Sequence, residues 1–223
     1  MRRFLLAGAL FAGLSGLAHA ADLSYPAPST GAGPMVAPTF NWAGPYLGAQ
    51  IGGGWMNVDR LTSGGFANSY NGSGFVGGLF LGYNWLAPNG IVWGVEADAN
   101  LANISGNDAG VGGTTDGTRI NWDGTINGRV GKAFGRALLY LSGGLAVAGV
   151  SQTNSSTALT GPSTLYGWNI GGGLDFALTS DVFGRVDFKH KAYGAAAYTG
   201  AGLANFTTTT TANEVTVGIA KVF

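Results

Sequence analysis

The chain has 223 residues, of which 46% are hydrophobic and only 10% are charged, with 41 glycines and no cysteine. Soluble domains carry roughly 25% charged residues, and a chain without cysteine can form neither disulfides nor thiolate metal sites. No stretch after residue 20 approaches eighteen unbroken apolar residues, so we do not expect helical membrane spans. The balanced charge also gives no reason to expect a nucleic-acid partner.

Residues 1–20 show the three parts of a secretory signal peptide. Two arginines precede the apolar run 4–17, and the sequence Ala-His-Ala at 18–20 places small residues at the two positions that determine cleavage. The run is too short for a membrane-spanning helix, so we predict cleavage before Ala21. Since cleavage removes two of the eleven basic residues, the mature chain has nine basic and eleven acidic residues, a formal charge of −2.

From Trp42 onward, hydrophobic residues recur with a period of two, which is typical of strands with two unlike faces. We interpret eight such segments as strands, each with one apolar face and one small or polar face. In chain order, the apolar faces begin and end at Leu47 and Trp55, Phe75 and Trp85, Ile91 and Leu101, Ile120 and Val130, Leu139 and Val147, Trp168 and Phe176, Val182 and Phe188, and Val215 and Phe223.

The connections between these segments alternate between short and long. The short ones, of about five residues, lie near 86–90, 132–136 and 177–181. The long ones are rich in Gly, Ser, Thr and Asn and lie near 57–73, 103–118, 151–163 and 194–211. Outer-membrane barrels have short periplasmic turns and longer extracellular loops, whereas a soluble β-sandwich has no reason to sort its loops in this way.

The sequence therefore predicts an all-β fold, a transmembrane antiparallel up-and-down β-barrel of about eight strands over residues 41–223. Residues 21–40, with four prolines among small residues, predict an extended periplasmic segment before it. Aromatic side chains on the apolar faces predict two interfacial girdles. One girdle contains Trp55, Phe75, Trp122 and Trp168, and the other contains Tyr83, Trp85, Trp93 and Phe223.

The charged residues of the predicted strands share the small or polar face, which we assign to the lumen. A lipid-facing Arg or Lys costs about 2–4 kcal/mol at the membrane midplane. An eight-stranded barrel is only wide enough for its own side chains, so paired charges are favoured over an ion pathway. We predict a structural lumenal network of Glu96, Asp98, Asp123, Arg129, Asp175, Arg185, Asp187, Lys189 and Glu214.

Several motifs resemble the small outer-membrane immunogenic proteins, also described as opacity-antigen-like or porin-family barrels. Residues 40–48 (FNWAGPYLG) are similar to the opening strand of that family, as are the glycine–aromatic segments at 74–78 and 82–85 and the segment at 94–98. The terminal Phe223 resembles the aromatic end that the barrel-assembly machinery reads. Lys221 departs from the family pattern, in which an aromatic or aliphatic residue is usual, but a rim lysine can extend to the headgroups.

The resemblance implies an integral outer-membrane protein with a structural, surface-antigen or envelope-integrity role and no cofactor. Its expected surroundings are outer-membrane lipid and lipopolysaccharide, and its expected partner during insertion is the barrel-assembly machinery. The resemblance leaves open whether a host or phage receptor exists.

Catalysis is the least favoured alternative. The mature chain has one histidine, His190, which the alternation places on the outward face. A lipid A deacylase-like site would need a serine two residues later, where Ala192 stands, and Glu96 and Asp98 share a face without a substrate cleft. We therefore predict no catalytic, cofactor-binding or metal-binding residues, and two alternatives stay open: a narrow low-conductance pore and a lipid-modifying enzyme.

Overall fold

The computed structural model describes residues 40–65, 67–109, 115–154, 159–161, 163–200 and 205–223. The predicted signal peptide and residues 21–39 of the proline-rich segment lie outside these ranges. Within them run eight long strands: β1 Gly44–Thr62, β2 Ala67–Leu86, β3 Ile91–Ala109, β4 Thr115–Phe134, β5 Ala137–Asn154, β6 Thr164–Ala177, β7 Val182–Gly200 and β8 Phe206–Val222. No helix long and apolar enough to cross a membrane occurs in this part of the chain.

The eight strands form a closed antiparallel barrel. Each strand pairs with the next along the chain, and β8 pairs with β1 from Tyr46 opposite Val222 to Thr62 opposite Phe206. A two-residue strand, Leu159–Thr160, pairs with the end of β7 outside this cycle. Through the apolar band, closure pairs both edges of each of the eight strands, so the backbone hydrogen bonds of the wall are satisfied inside a membrane. The predicted fold class is confirmed.

The alternation of faces also agrees with the prediction along most strands. On β2, for example, the outward Leu79 is 60% exposed, while its neighbour Phe80 is completely buried in the lumen. The residues of the two predicted aromatic girdles are exposed on the outside of the barrel, at two heights that we call the aromatic levels. Between these levels the outward residues are apolar, and β1 crosses this apolar band between Pro45 and Trp55. That length matches the 9–11 residues that a tilted strand needs to span a bilayer.

The outer half of β4 departs from the prediction. Ile120, expected on the outward face, points into the lumen and is 1% exposed, whereas Arg119 and Asn121, expected inside, are exposed. The cause is a β-bulge: Ile120 pairs with Val150, but Trp122 pairs with Gly149, so β4 holds one more residue than β5. Such an extra residue reverses the facing of every side chain beyond it.

The long loops are mostly strand, which corrects the predicted connections. The connection expected over 57–73 shrinks to 63–66, because β1 continues to Thr62 and β2 begins at Ala67. The connections expected over 103–118, 151–163 and 194–211 shorten in the same way, since β3 continues to Ala109, β5 to Asn154 and β7 to Gly200. The short turns at 87–90 and 178–181 lie where they were predicted, at four residues each, whereas the one predicted over 132–136 shortens to 135–136 because β4 continues to Phe134.

These longer strands carry the barrel wall past the aromatic level on one side only. We call that side the hairpin end, and the side with the turns 87–90, 135–136 and 178–181 the turn end. Toward the hairpin end the polarity of the two faces inverts: Asn57 is exposed on the outside, while Met56 and Val58 are fully buried inside. This is the pattern of a barrel wall that stands in water rather than in lipid.

Candidate functional site

The lumen is the candidate site, and its inward side chains form three layers along the barrel axis. The layer at the turn end is apolar and consists of Phe40, Trp42, Tyr46, Phe80, Val92, Leu138, Ala177, Phe183 and Ala220. Trp42, which precedes β1, is 2% exposed and packs against Phe183 with ring centroids 5.8 Å apart. The residues before the first strand therefore close this end of the barrel.

Above this layer, four charged side chains from four strands form a closed cycle. Arg185 of β7 donates from Nε to Asp175 Oδ1 at 2.7 Å and from Nη1 to Glu96 Oε2 at 2.7 Å. Arg129 of β4 donates from Nη2 to Asp175 Oδ2 at 2.6 Å and contacts Glu96 Oε2 from Nη1 at 3.2 Å. Each carboxylate thus lies between two guanidinium groups, the geometry in which buried charges are best compensated.

Aromatic side chains hold the two guanidinium groups in place. Arg129 lies 3.9 Å from the ring centroid of Tyr140, and Arg185 lies 4.3 Å from that of Phe80. The hydroxyl of Tyr46 also donates to Glu96 Oε2 at 2.7 Å. Cation–π contacts between desolvated groups are worth about 2 kcal/mol or more, so the rings support the charged cycle as well as filling space.

A second group of charges centres on Lys189 of β7. Its Nζ contacts Asp98 Oδ2 at 2.8 Å and Asp187 Oδ1 at 3.4 Å. Asp98 also accepts hydrogen bonds from Thr125 and, at 3.0 Å, from Asn100. Since Asp187 accepts at 2.6 Å from the hydroxyl of Tyr140, which stacks on Arg129, this group is continuous with the four-residue cycle.

The third group is nearest the hairpin end. Lys191 lies between Asp123 and Glu214, with Glu214 Oε2 at 2.7 Å. The amide of Asn100 donates to both Asp98 Oδ1 and Asp123 Oδ1 at 3.0 Å, so it links this group to the second one. Gln50 donates in turn to Asn100 Oδ1 at 2.8 Å.

The structure places all nine residues of the predicted network inside the lumen and distributes them over these three groups. Arg129 contacts Glu96 of β3, whereas Asp98 of the same strand pairs with Lys189. Lys191, Tyr46 and Tyr140 also belong to the network but were not in the predicted set. Their inward position in the alternation is the signal that could have identified them.

The layer at the hairpin end is mainly apolar, with the buried hydroxyls of Thr118, Thr208 and Thr210 among its hydrocarbon side chains. It contains Met56, Val58, Tyr70, Val76, Ile104, Ile120, Ala146, Ala148, Val150, Leu165, Tyr193, Ala196, Tyr198, Phe206 and Ala212. The guanidinium of Arg60 lies over it, 4.3 Å from the ring centroid of Phe206. The charged layer is therefore enclosed between two apolar layers, and no cluster of metal-ligating side chains occurs among the described residues.

His190 and the terminal residues lie outside the lumen. His190 is on the outward face, half-buried, with Nδ1 2.7 Å from Asn213 Oδ1 and its ring 5.9 Å from that of Trp168. Lys221, which differs from the residue usual in the family at that position, pairs with Asp181 Oδ2 at 3.1 Å. Asp181 lies in the last turn of the turn end. Hydrogen bonds from Thr179 and from Lys221 hold the pKa of the Asp181 carboxyl below its usual value.

A closed eight-stranded barrel with an apolar outer band and a charged, filled interior defines the class of integral outer-membrane proteins. The chain belongs to the family described as the outer membrane protein beta-barrel domain, which matches residues 8–223. It is therefore an outer-membrane protein, as the resemblance implied.

Individual relatives agree with this assignment. The chain is 30% identical to the 25 kDa outer-membrane immunogenic protein of Brucella canis over 203 residues, which cover 91% of this chain and 89% of the relative. It is 32% identical to the 22 kDa outer membrane protein of Rhizobium leguminosarum bv. viciae, covering 73% and 70%. Its fold is similar to that of OprG from Pseudomonas aeruginosa, with a TM-score of 0.58, 16% identity and coverage of 81% and 96%.

Proposed function

We propose that this protein is a non-catalytic structural barrel that serves envelope integrity and presents a surface antigen. The observation that carries the proposal is the arrangement of the lumen, in which a charged layer lies between two apolar ones. An ion that entered from the turn end would meet buried aromatic and aliphatic side chains before it met a charge. One that entered from the hairpin end would pass Arg60 and would then meet the buried side chains of the hairpin-end layer before it reached the charged layer.

The energetic cost of opening the lumen supports the same proposal. Breaking a buried ion pair from one side typically costs about 3–5 kcal/mol, and Arg185 alone holds two carboxylates from different strands. A conducting path would have to separate several such pairs. The ion pairs are therefore better suited to joining strands across the lumen than to lining a water channel.

A narrow pore is the second candidate, favoured by one observation. Asp123 Oδ2, Ser142 Oγ and Asn169 Oδ1 are buried without a hydrogen-bond partner among the described residues. Buried polar atoms are normally satisfied by protein or by ordered water. Water inside the charged layer would satisfy them, and a chain of such waters is the minimum that a pore requires.

Planar-bilayer recording with the purified, folded barrel separates the two candidates. The proposed sealed lumen predicts no discrete current steps across a range of voltages. A matched variant, Trp42→Ala with Phe40→Ala, removes two aromatic side chains from the turn-end layer and should also give no current steps, because the charged layer and the hairpin-end layer still fill the lumen. Reproducible current steps from the unmodified protein would overturn the sealed barrel and support the pore.

The proposed partners are outer-membrane lipid and lipopolysaccharide around the wall, and the barrel-assembly machinery during insertion through Phe223. Phe223 suits that role because its side chain is exposed at the turn end, while its backbone N–H donates to Pro45 O at 2.9 Å. We propose no catalysis, because His190 pairs with the amide of Asn213 rather than with a carboxylate or a serine. We therefore expect that the acylation of lipid A stays unchanged in cells that express the protein.

A further inference from the structure

The outer wall changes character above the aromatic level that contains Trp55. Below it the outward side chains are apolar, whereas above it amides and hydroxyls replace them. Exposed examples from five strands are Asn57, Asn71, Asn103, Asn121 and Ser151. Since outer-membrane barrels have short turns in the periplasm, this polar wall faces the headgroup layer of the outer leaflet.

One part of this polar wall is a groove of about 480 Å³ between β2 and β3. Trp55, which is 44% exposed, lines the end of the groove that lies at the aromatic level. The amides of Asn71 and Asn107 and the hydroxyls of Ser73 and Ser105 line the rest together with two glycines. None of these described lining residues is charged.

The glycines keep this part of the wall narrow. A Cβ on Gly72 would lie 2.6 Å from the backbone of Ser105, and one on Gly106 would lie 2.5 Å from the carbonyl oxygen of Asn71. Such distances are closer than non-bonded carbon can approach. Glycine at both positions therefore lets β2 and β3 approach closely between the two rows of polar side chains.

The chemistry of the groove suits a neutral sugar. Amides and hydroxyls donate and accept hydrogen bonds, which matches the hydroxyl groups of a pyranose. The exposed indole offers a negative ring face, on which the slightly positive C–H groups of a sugar ring can pack. A phosphate, by contrast, is normally bound by arginine or lysine, and neither residue lines the groove.

We propose that this groove binds a neutral saccharide unit of the glycolipid that surrounds the barrel in the outer leaflet. The inference rests on the function proposed above, in which lipopolysaccharide contacts the wall. The groove begins at the aromatic level, and Asn71, Ser73 and Asn107 of its lining are exposed on the outward face of the wall. A sugar attached to a neighbouring lipid therefore reaches it without leaving the membrane surface.

The test is calorimetric titration of the folded barrel in detergent micelles. The probe is the oligosaccharide released from rough lipopolysaccharide by removing its acyl chains and phosphates. We expect saturable binding that weakens by about tenfold in Asn71→Ala with Asn107→Ala, since two hydrogen bonds are lost. Asn121→Ala removes an exposed outward amide from β4, away from the groove, and should leave binding unchanged. Heat-dependent gel mobility confirms that each variant is folded.

Four outcomes overturn the inference: no saturable binding, equal weakening by Asn121→Ala, competition by inorganic phosphate, or binding of a host-type glycan in place of the lipopolysaccharide sugar. Trp55→Phe keeps an apolar residue at the interface and should weaken binding less than the double variant does. A barrel that conducts ions but binds the sugar would contradict the proposed function alone. A barrel that gives no current steps and does not bind the sugar would contradict only the proposed saccharide site.

Discussion

Replacing Arg185 by alanine removes the guanidinium that joins β3, β6 and β7 across the lumen. The change breaks three contacts, to Asp175 Oδ1 at 2.7 Å, to Asp175 Oδ2 at 3.1 Å and to Glu96 Oε2 at 2.7 Å. Among the described residues, Arg129 is then the one guanidinium that still contacts these two carboxylates. Leaving buried charge uncompensated typically costs about 3–5 kcal/mol, so we expect the free energy of unfolding to fall by that amount.

The assay is urea unfolding of the barrel in lipid vesicles, followed by tryptophan fluorescence. A double-mutant cycle with Glu96→Ala should show a coupling of about 0.5–3 kcal/mol, because the second change removes one of the unpaired charges. Lys221→Ala is the matched control, since its ion pair with Asp181 is exposed to solvent and should contribute little. If Arg185→Ala unfolds at the same urea concentration as the unmodified barrel, the lumenal charges are solvated and the reasoning is wrong.

Three further predictions concern the wall, the turn-end layer and the mature chain. Leu79→Arg should destabilise the barrel by about 2–4 kcal/mol in vesicles, as lipid-facing cations do, while Leu79→Phe should not; equal stabilities would mean that this face does not meet lipid. Trp42→Ala should cost about 3–5 kcal/mol in urea unfolding, because a buried indole leaves a cavity; an unchanged midpoint would show that Trp42 does not seal the turn end. Intact mass of protein extracted from outer membranes should correspond to a chain that begins at Ala21, and a mass that includes residues 1–20 would contradict cleavage.

Alternation in the sequence predicted the strands and the facing of most side chains, because each membrane-spanning strand separates a lipid face from a lumenal face. The same signal extends past Trp55, where Met56 and Val58 alternate with Asn57. There the polarity is inverted, and the abundance of Asn, Ser, Thr and Gly was interpreted as loop. The loop prediction therefore rested on composition, although the alternation of a strand was present in the same residues.

The bulge in β4 could not be predicted in this way. It depends on how Ile120 and Trp122 align with Val150 and Gly149 on the neighbouring strand. A single chain segment contains no information about that register. As a result, the predicted inward facing of Arg119 was wrong. On each side of the bulge, the residues of β4 alternate between the two faces as a regular strand does.

The network illustrates a similar division. Inward facing was enough to identify the charged members, because charge is costly on a lipid-facing wall. Which partners meet across the lumen depends on the tilt and stagger of the closed barrel. The contact of Arg185 with Glu96 joins residues 89 positions apart in the chain, and neither alternation nor spacing indicates it.

Access of water to the middle of the lumen tests the central claim most directly. The chain contains no cysteine, so Asn100→Cys introduces a single thiol between the second and third groups of charges. Asn57→Cys, on the exposed outer wall, is the matched control. The sealed lumen predicts that a small water-soluble thiol reagent labels the control rapidly but labels position 100 only after unfolding. Rapid labelling of position 100 in the folded barrel would show a continuous water path and would contradict the account.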